Sequence, residues 1–185
     1  MPRPVRRLTA LALTATALLG LAACAPDEEA PTAPPTTDAT SAAVFASDEE
    51  ALAAAVEAYE AYLAVSASIS ASGEGFDRLA AVTSREYGET RTQELETFAD
   101  AGLRLSGSYR LDTTSLISRS RLGASELVLI YACQDVSLTR IVNADGVDVT
   151  PVGRDERAPM TVELQLTADG GVVAGSELWS GENFC

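Results

Sequence analysis

The apolar run at residues 126–136, ELVLIYACQDV, limits the possible folds more than any other part of this sequence. Its centre combines β-branched, aliphatic and aromatic side chains, which favour extended backbone on a buried, pleated surface. Such a run is typical of a strand that lies inside a sheet and is covered on both faces. We therefore expect neighbouring strands on either side of it and other elements packed over the sheet.

Strand patterns occur on both sides of this run, and turn residues separate them. The further strands are predicted over residues 108–121, 138–142, 160–167 and 172–180. Within 160–167 the alternation is regular and places three aliphatic side chains on one face. The sequence NADG at 143–146 predicts a turn and DGG at 169–171 predicts a hairpin, so we expect antiparallel pairing.

The residues before these strands favour helices. Ser47 followed by Glu50 has the form of a capping box, with acidic residues in the first turn. Apolar residues then recur at four- and three-residue steps, which predicts a helix to about residue 70. A short second helix is predicted over 76–82 and a third over 86–101. The buried side of the third is predicted to carry Tyr87, Leu95 and Phe98.

Helices followed by a meander of antiparallel strands are the order of an α+β domain, in which the N-terminal helices pack on a curved sheet. A chain of 185 residues is long enough to bury a core of its own. We predict the core from the apolar faces of the first helix and of two strands. Its predicted members are Leu52, Val56, Tyr59, Leu63, Leu127, Leu129, Val162, Leu164 and Leu166.

The N-terminal segment combines a basic start with an apolar run at residues 8–19 and the sequence Leu21-Ala22-Ala23-Cys24. The apolar run is too short to span a bilayer and fits a signal peptide. The four residues ending in Cys24 resemble the lipobox of bacterial lipoproteins. This resemblance implies a signal peptide at 1–23 and a lipid, such as palmitate, on Cys24. The alternative is an ordinary signal peptide cut after Ala23.

Residues 24–46 are predicted to comprise the lipidated Cys24 and, after it, a disordered tether. The segment is rich in proline and threonine and has few side chains that could be buried. Its threonines are candidates for glycosylation, although an unmodified spacer explains them as well. The folded domain is then predicted over 47–185 and is expected on the outer face of the cell membrane, held there by the lipid.

Charge and composition narrow the range of partners. The 13 basic residues are all arginine, histidine is absent, and 27 acidic residues give a net charge of −14. Three of the arginines lie before Cys24, so the mature chain would be more acidic still. A surface of this sign repels nucleic acid and anionic headgroups, and no nucleic-acid partner is expected. The alanine-rich, lysine-free usage resembles that of GC-rich bacteria such as actinobacteria.

The domain holds two cysteines besides the proposed lipid site. Cys133 and Cys185 are predicted to form a disulfide, because outside the membrane a pair of remaining cysteines is usually oxidised. The bond would close a loop of about 50 residues, worth ~4 kcal/mol in the chain-entropy model. A zinc site is not expected, because the chain has no CxxC motif and no histidine. No cofactor is predicted.

Several loose motifs are spread over about residues 47–185. They are Tyr59 and Tyr62 in the first helix, YACQD at 131–135, the turn ending in Gly146, Gly170-Gly171, Trp179 and the terminal Cys185. Taken together they resemble the nuclear transport factor 2-like (SnoaL-like) superfamily in its secreted actinobacterial members. The resemblance implies a curved sheet wrapped on helices as a cone-like, cystatin-like roll with a cavity, and a possible homodimer through the sheet face.

That superfamily includes isomerases, cyclases and dehydratases, as well as non-enzymatic binding modules, so the fold leaves the function open. Its enzymes often set an Asp base and a Tyr or Asp proton donor in the cavity. Here Tyr131 and Asp135 share a strand face and are speculative cavity residues, Asp135 as a base with a raised pKa. The alternative is that Tyr131 packs in the core and Asp135 lies at the solvated end of the strand.

The favoured hypothesis is a lipid-anchored extracytoplasmic binding domain without catalytic activity. Its ligand would be a small apolar molecule or an envelope protein. The absence of histidine excludes Ser-His and Cys-His nucleophile systems, and no catalytic motif of the superfamily can be matched residue by residue. Two alternatives remain: a small isomerase, cyclase or dehydratase that uses a cavity carboxylate, and a structural accessory of an envelope or secretion complex.

Overall fold

The protein is described here by a computed structural model that covers residues 43–185. The signal segment 1–23, the predicted lipid site Cys24 and the tether up to residue 42 lie outside the described residues. Packing begins before the predicted domain start, because Val44 and Phe45 already lie on the core. Phe45 is 6% exposed, and the Val44 N–H donates to Glu126 Oε1 at 2.9 Å.

The first helix, α1 (Asp48–Ser72), begins and ends with the signals that its sequence carries. Ser47 Oγ accepts a hydrogen bond from the Glu50 N–H at 3.2 Å, and Glu50 Oε2 accepts one from the Ala46 N–H at 2.8 Å. These contacts satisfy N–H groups that the helix itself leaves unpaired. Gly73 ends the helix in a left-handed conformation (φ 73°), which costs little without a side chain.

Two shorter helical elements follow. The predicted second helix is a 3₁₀ helix, Phe76–Ala81, and the third is α2, Arg85–Asp100, within one residue of its predicted bounds. Ser84 caps α2 by accepting a hydrogen bond from the Tyr87 N–H at 3.3 Å. Leu95 is buried and Tyr87 is partly buried, as the spacing along α2 predicts.

The main sheet is an antiparallel meander in the order β2-β3-β5-β6. Its strands are β2 (Arg110–Leu122), β3 (Ser125–Asp135), β5 (Arg157–Thr167) and β6 (Gly170–Leu178). A second, two-stranded sheet pairs β1 (Arg104–Ser106) with β4 (Arg140–Val142). The prediction contained no strand at β1. The strand predicted over 138–142 is the short β4, which pairs with β1 and lies outside the main sheet.

The helices pack on one face of this curved sheet, which confirms the predicted α+β architecture with open sheets. Register shifts in β2 and between β5 and β6 mark β-bulges, which increase the local twist and bend a sheet. We call the helix-covered side the inner face and the opposite side the outer face. The inner face buries Val128, Ile130, Ala132, Val162, Leu164, Leu166 and Val173.

The face of β3 was predicted incorrectly. Leu127 and Leu129 lie on the outer face and are only half-buried, while Val128 and Ile130 are the core residues. Both faces of this strand are apolar, so alternation does not identify the inner one. A charged residue, Glu126, lies on the inner face at 4% exposure, where it accepts the Val44 hydrogen bond and lies 3.7 Å from Arg119 Nη1.

The contact face of α1 also differs from the prediction in part. Tyr59 and Leu63 are buried as expected, whereas Leu52 and Val56 are only partly buried. Small residues, among them Ala51 and Ala55, take the positions nearest the core and are fully buried. Because alanine extends little beyond the backbone, this side of the helix lies close to its neighbours.

By length and composition, α1 also meets the criteria for a membrane span, with 25 residues and a mean hydropathy of 1.2 over its best window. In the structure its Tyr59, Leu63 and Ile69 are buried in the hydrophobic core. A helix at the centre of a globular domain meets the same criteria, because it is also long and apolar. We therefore interpret α1 as a core helix.

Candidate functional site

A polar cavity interrupts the core where β3 ends and β5 begins. It has a volume of about 150 Å³ and lies between α1, α2 and the inner face of the sheet. Four of the chain's five tyrosines line it, together with two serines and the side chains of Arg91, Glu94 and Gln134. We call it the tyrosine pocket; its principal residues are Tyr59, Tyr62, Ser66, Tyr87, Arg91 and Tyr109.

Helical spacing brings three of these rings together. Tyr59 and Tyr62 are three residues apart on α1 and lie nearly parallel, with ring centroids 5.9 Å apart and planes at 12°. Tyr87 reaches them from α2, with its centroid 5.8 Å from that of Tyr62 and a tilt of 47°. Offset and tilted arrangements at these distances are favourable for aromatic rings. The pocket wall is therefore a packed aromatic surface with polar tips.

The hydroxyl groups form two hydrogen-bonded sets. Tyr59 Oη donates to Gln134 Oε1 at 3.3 Å and lies 3.1 Å from Ser176 Oγ, which links α1 to β3 and β6. The hydroxyls of Tyr62 and Tyr87 are 2.9 Å apart, which links α1 to α2. These hydrogen bonds thus connect α1 to the sheet and α2 to α1.

Burial keeps these phenols protonated. Removal from water raises the pKa of Tyr59 to about 12, and the hydrogen bond from Ser176 and the nearby Arg91 charge only partly oppose this shift. Burial also raises the pKa of Tyr87 well above its usual range, with the proximity of Tyr62 as a further cause. The pKa of Tyr109 is raised by burial as well. At neutral pH these groups donate and accept hydrogen bonds and do not act as bases.

Arg91 brings a positive charge to the pocket. Its Nη1 donates to Glu94 Oε2 at 2.7 Å, and its side chain is 26% exposed. Its Nε is buried and has no hydrogen-bond partner among the described residues. Ser66, at 1% exposure, likewise has no partner for its hydroxyl within residues 43–185. A buried polar group without a partner is destabilising, so such groups call for an explanation.

A second cavity of about 260 Å³ adjoins the tyrosine pocket and shares Arg91, Glu94 and Tyr109 with it. Its remaining walls are mainly apolar and include Leu95 and Phe98 of α2. Because the two cavities share these walls, a rotation of the Tyr109 or Arg91 side chain would change the space available to a ligand.

The structure places the two speculative cavity residues, Tyr131 and Asp135, outside the tyrosine pocket. Asp135 instead lines an open cavity of about 500 Å³ beside Arg157 and Cys185. Both speculative residues lie on the outer face of β3, since the residues of alternate parity face inward: Val128, Ile130 and Ala132 lie in the core and Gln134 lines the tyrosine pocket. Tyr131 packs against Trp179 and Phe184, with ring centroids at 5.4 Å and 4.9 Å. It therefore belongs to the contact between the sheet and the C-terminal tail.

The contacts of Asp135 stabilise its ionised form and make it a weak base. Its Oδ1 accepts a hydrogen bond from the Ser137 N–H at 2.8 Å, and its Oδ2 accepts one from Arg110 Nη2 at 3.1 Å. The Ser137 hydrogen bonds, with the Arg110 charge in addition, lower the pKa of Asp135. A general base at neutral pH requires the opposite shift.

The tail that covers Tyr131 is held in place by a disulfide and by a charged network. The structure joins Cys133 to Cys185, with their Cα atoms 5.6 Å apart, which is the pairing that the sequence predicts. Arg157 donates to the Cys185 carbonyl oxygen and, through Nε and Nη2, to both carboxylate oxygens of Asp112 at 2.7 Å and 2.6 Å. The last residues of the chain therefore belong to the fold.

Over residues 43–185, no group of three His, Cys, Asp or Glu side chains is placed to hold a metal ion.

In the turn that begins at Asn143, the side-chain oxygen of Asn143 binds to the backbone of the turn itself. This oxygen accepts hydrogen bonds from the N–H groups of Asp145 at 3.0 Å and Val147 at 2.9 Å. This pattern is that of an Asx turn.

Sequence reasoning missed Arg91 as a pocket residue. The residue lies midway between Tyr87 and Leu95, four residues from each, and these two were predicted to form the buried side of the third helix. A charged residue on the buried stripe of an amphipathic helix is the one local signal that pointed to this site. The convergence of the tyrosines from two helices and a loop carries no such local signal.

Comparison with known proteins bears on the fold alone. No protein-family model and no curated protein matches this sequence. The chain is similar in structure to the intermembrane space region of the chloroplast protein ARC6, with a TM-score of 0.51 and 14% sequence identity. The match covers 70% of this chain and 97% of the other. At this identity the similarity shows a shared arrangement of helices and strands.

Proposed function

We propose that this protein is a lipid-anchored, extracytoplasmic binding domain that takes its ligand in the tyrosine pocket and catalyses no reaction. The observation that carries the proposal is a polar, arginine-containing cavity within an otherwise apolar core. Concave sites that combine an aromatic wall with a few convergent polar groups are typical of ligand binding. The resemblance to the nuclear transport factor 2-like superfamily, which implies a cone with a cavity, agrees with this proposal.

Binding is preferred to catalysis because of the chemistry of the pocket. Its phenols keep their protons at neutral pH, since burial raises the pKa of Tyr59 and Tyr87. The carboxylate considered as a base, Asp135, lies on the outer face and has a lowered pKa. The groups gathered in the pocket therefore suit recognition by hydrogen bonding more than proton transfer.

The extracytoplasmic location is supported by two cysteine features. The disulfide between Cys133 and Cys185 suits an oxidising compartment. The sequence around Cys24 resembles a lipobox, which implies attachment to the outer face of the membrane. Metabolic labelling with an alkyne fatty-acid analogue is expected to mark the wild-type protein and to leave Cys24→Ser unlabelled. Equal labelling of the two would overturn the anchoring.

The pocket itself is tested by ligand-observed NMR on the full chain in a neutral detergent, with a set of small neutral and charged compounds. Ser66→Leu would fill part of the cavity from its wall, and it is expected to abolish saturation transfer to compounds that bind wild type. Ala53→Leu, on the exposed side of the same helix, is the matched control and should bind normally. Circular dichroism checks that both variants are folded. Unchanged binding by a folded Ser66→Leu would place the site elsewhere.

A further inference from the structure

We infer that the tyrosine pocket binds a small carboxylate anion, with the carboxylate against the unoccupied edge of Arg91 and the body of the ligand against the tyrosine rings. This inference rests on the proposed binding function and specifies its ligand class. It is carried by the hydrogen-bonding groups of the pocket, by the distribution of charge and by the size of the cavity.

Several hydrogen-bond donors of the pocket have no acceptor among the described residues. Within residues 43–185, Arg91 Nε and Ser66 Oγ are buried and have no partner. The hydroxyls of Tyr62 and Tyr87 carry one proton each, and their mutual hydrogen bond uses only one of the two. A ligand that supplies acceptor oxygens and no donor satisfies this arrangement, and a carboxylate is such a group.

Arg91 uses one side of its guanidinium group for a protein partner. Nη1 is engaged by Glu94, whose side chain is 56% exposed, whereas the buried Nε belongs to the edge that Nη1 does not share and has no partner within residues 43–185. The Nε edge of a guanidinium has two parallel N–H groups, which match the two oxygens of a carboxylate. Glu94 thus binds the Nη1 side of the guanidinium, and the Nε edge remains for the carboxylate of a ligand.

The charge of the site favours a monoanion over a dianion. Arg91 is paired with Glu94 and the described domain is strongly acidic, with 10 arginines against 23 acidic residues in residues 43–185. One partly buried guanidinium with several neutral donors is suited to stabilise a single negative charge. A phosphate dianion would bring a second charge close to Glu94 and would be repelled.

The size of the pocket limits the rest of the ligand. About 150 Å³ is available beside the rings, and the adjoining cavity of about 260 Å³ shares the Arg91 wall. The stacked rings of Tyr59 and Tyr62 offer a flat apolar surface. A compact aromatic or branched aliphatic acid fits these walls, and benzoate is a suitable probe.

The test compares benzoate, benzamide and inorganic phosphate by calorimetry and saturation-transfer NMR, on the full chain in a neutral detergent. Benzamide has nearly the shape of benzoate but no charge. Benzoate is expected to bind at least about tenfold more tightly than benzamide, as for hydrogen bonds to a charged group. Phosphate is expected not to bind. Equal affinity for benzoate and benzamide, or tighter binding of phosphate, would overturn the inference.

Variants identify the residue responsible. Arg91→Gln is expected to weaken benzoate binding by roughly tenfold or more, and Ser66→Ala by a few-fold. Arg91→Lys keeps the charge but lacks the Nε edge, so it should bind benzoate less tightly than wild type. The matched control is Arg85→Gln, an exposed arginine on the same helix, which should bind as wild type does. Unchanged affinity in folded Arg91→Gln and Arg91→Lys would contradict the inference.

The outcome also separates this inference from the proposed function. If neutral compounds bind in the pocket and are lost in Ser66→Leu, while benzoate does not bind, the binding function stands and the carboxylate assignment falls. If neither class of compound binds wild type, both are overturned. Thermal unfolding of each variant, followed by circular dichroism, shows that a loss of binding does not arise from a loss of fold.

Discussion

The inner face of the sheet has two halves that are stabilised in different ways. One half, around Val128, Leu164 and Leu166, is packed from aliphatic side chains that are fully or almost fully buried. The other half is the tyrosine pocket, in which hydrogen bonds join phenol groups to one another and to an amide, beside the guanidinium group of Arg91. Aliphatic burial depends on area and volume, whereas a polar network depends on protonation and geometry. The first half therefore stabilises the fold, and the second is where selective recognition is possible.

The largest expected effect on stability comes from creating a cavity in the aliphatic half of the inner face. Leu164→Ala is expected to lower the free energy of unfolding by about 2–5 kcal/mol, because a fully buried side chain is truncated. Urea unfolding at neutral pH measures the change. Leu127→Ala, on the half-exposed outer face of β3, is the control and should cost only about 1 kcal/mol. Equal losses in the two variants would mean that the two faces of the sheet do not differ as described.

The next largest expected effect is a loss of stability at alkaline pH, which arises in the tyrosine pocket. Burial raises the pKa of Tyr59 from 10.0 to about 12, so above pH 10 the unfolded chain loses this proton before the folded one does. The stability that this tyrosine contributes is fully present below pH 10 and is lost as the pH rises towards 12. The loss from this group is expected to be roughly 2–3 kcal/mol over that interval.

Urea unfolding at several pH values between about 8 and 12 measures this loss, with Tyr59→Phe as the test variant. Phenylalanine keeps the ring and removes the ionisable group, so the variant should lose less stability in alkali than wild type does. Tyr131→Phe, on the outer face, is the matched control and should retain the wild-type loss. If the stability of Tyr59→Phe falls with pH in parallel with that of wild type, the protonation of Tyr59 is not coupled to folding.

The two halves also differ in how well the sequence predicted them. Strict alternation over 160–167 identified Val162, Leu164 and Leu166 as core residues, and all three are buried. Alternation could not orient β3, where Leu127 and Val128 are equally apolar and the charged Glu126 lies inside. Element order, helix caps and the cysteine pairing depend on local or composition signals, which is why they could be predicted.

The pocket could be predicted only in part. The burial of Tyr59 and Tyr87 follows from helix periodicity, but their meeting with Tyr109 depends on how α2 and the segment before β2 pack on α1. Asp135 was a candidate base because it shares a strand face with Tyr131, but this alternation identifies neither which face of the sheet the helices cover nor the hydrogen-bond partners of Asp135. Three-residue strands such as β1 are too short for a periodic signal, so their pairing depends on tertiary contacts.

The smallest expected effect concerns Asp135 and separates the outer face from the pocket. The hydrogen bonds from Ser137 and the charge of Arg110 hold the pKa of Asp135 below its usual value. Its contribution to stability is therefore present above about pH 4 and is lost as the pH falls through the folded-state pKa. Asp135→Asn should be slightly less stable than wild type at pH 7, and this difference should shrink in urea unfolding below about pH 4. Because Asp135 lies on the face opposite the tyrosine pocket, the variant should bind pocket ligands with wild-type affinity in the calorimetric assay. If folded Asp135→Asn instead loses pocket binding, the site extends through the sheet edge and the assignment to the inner face alone is wrong.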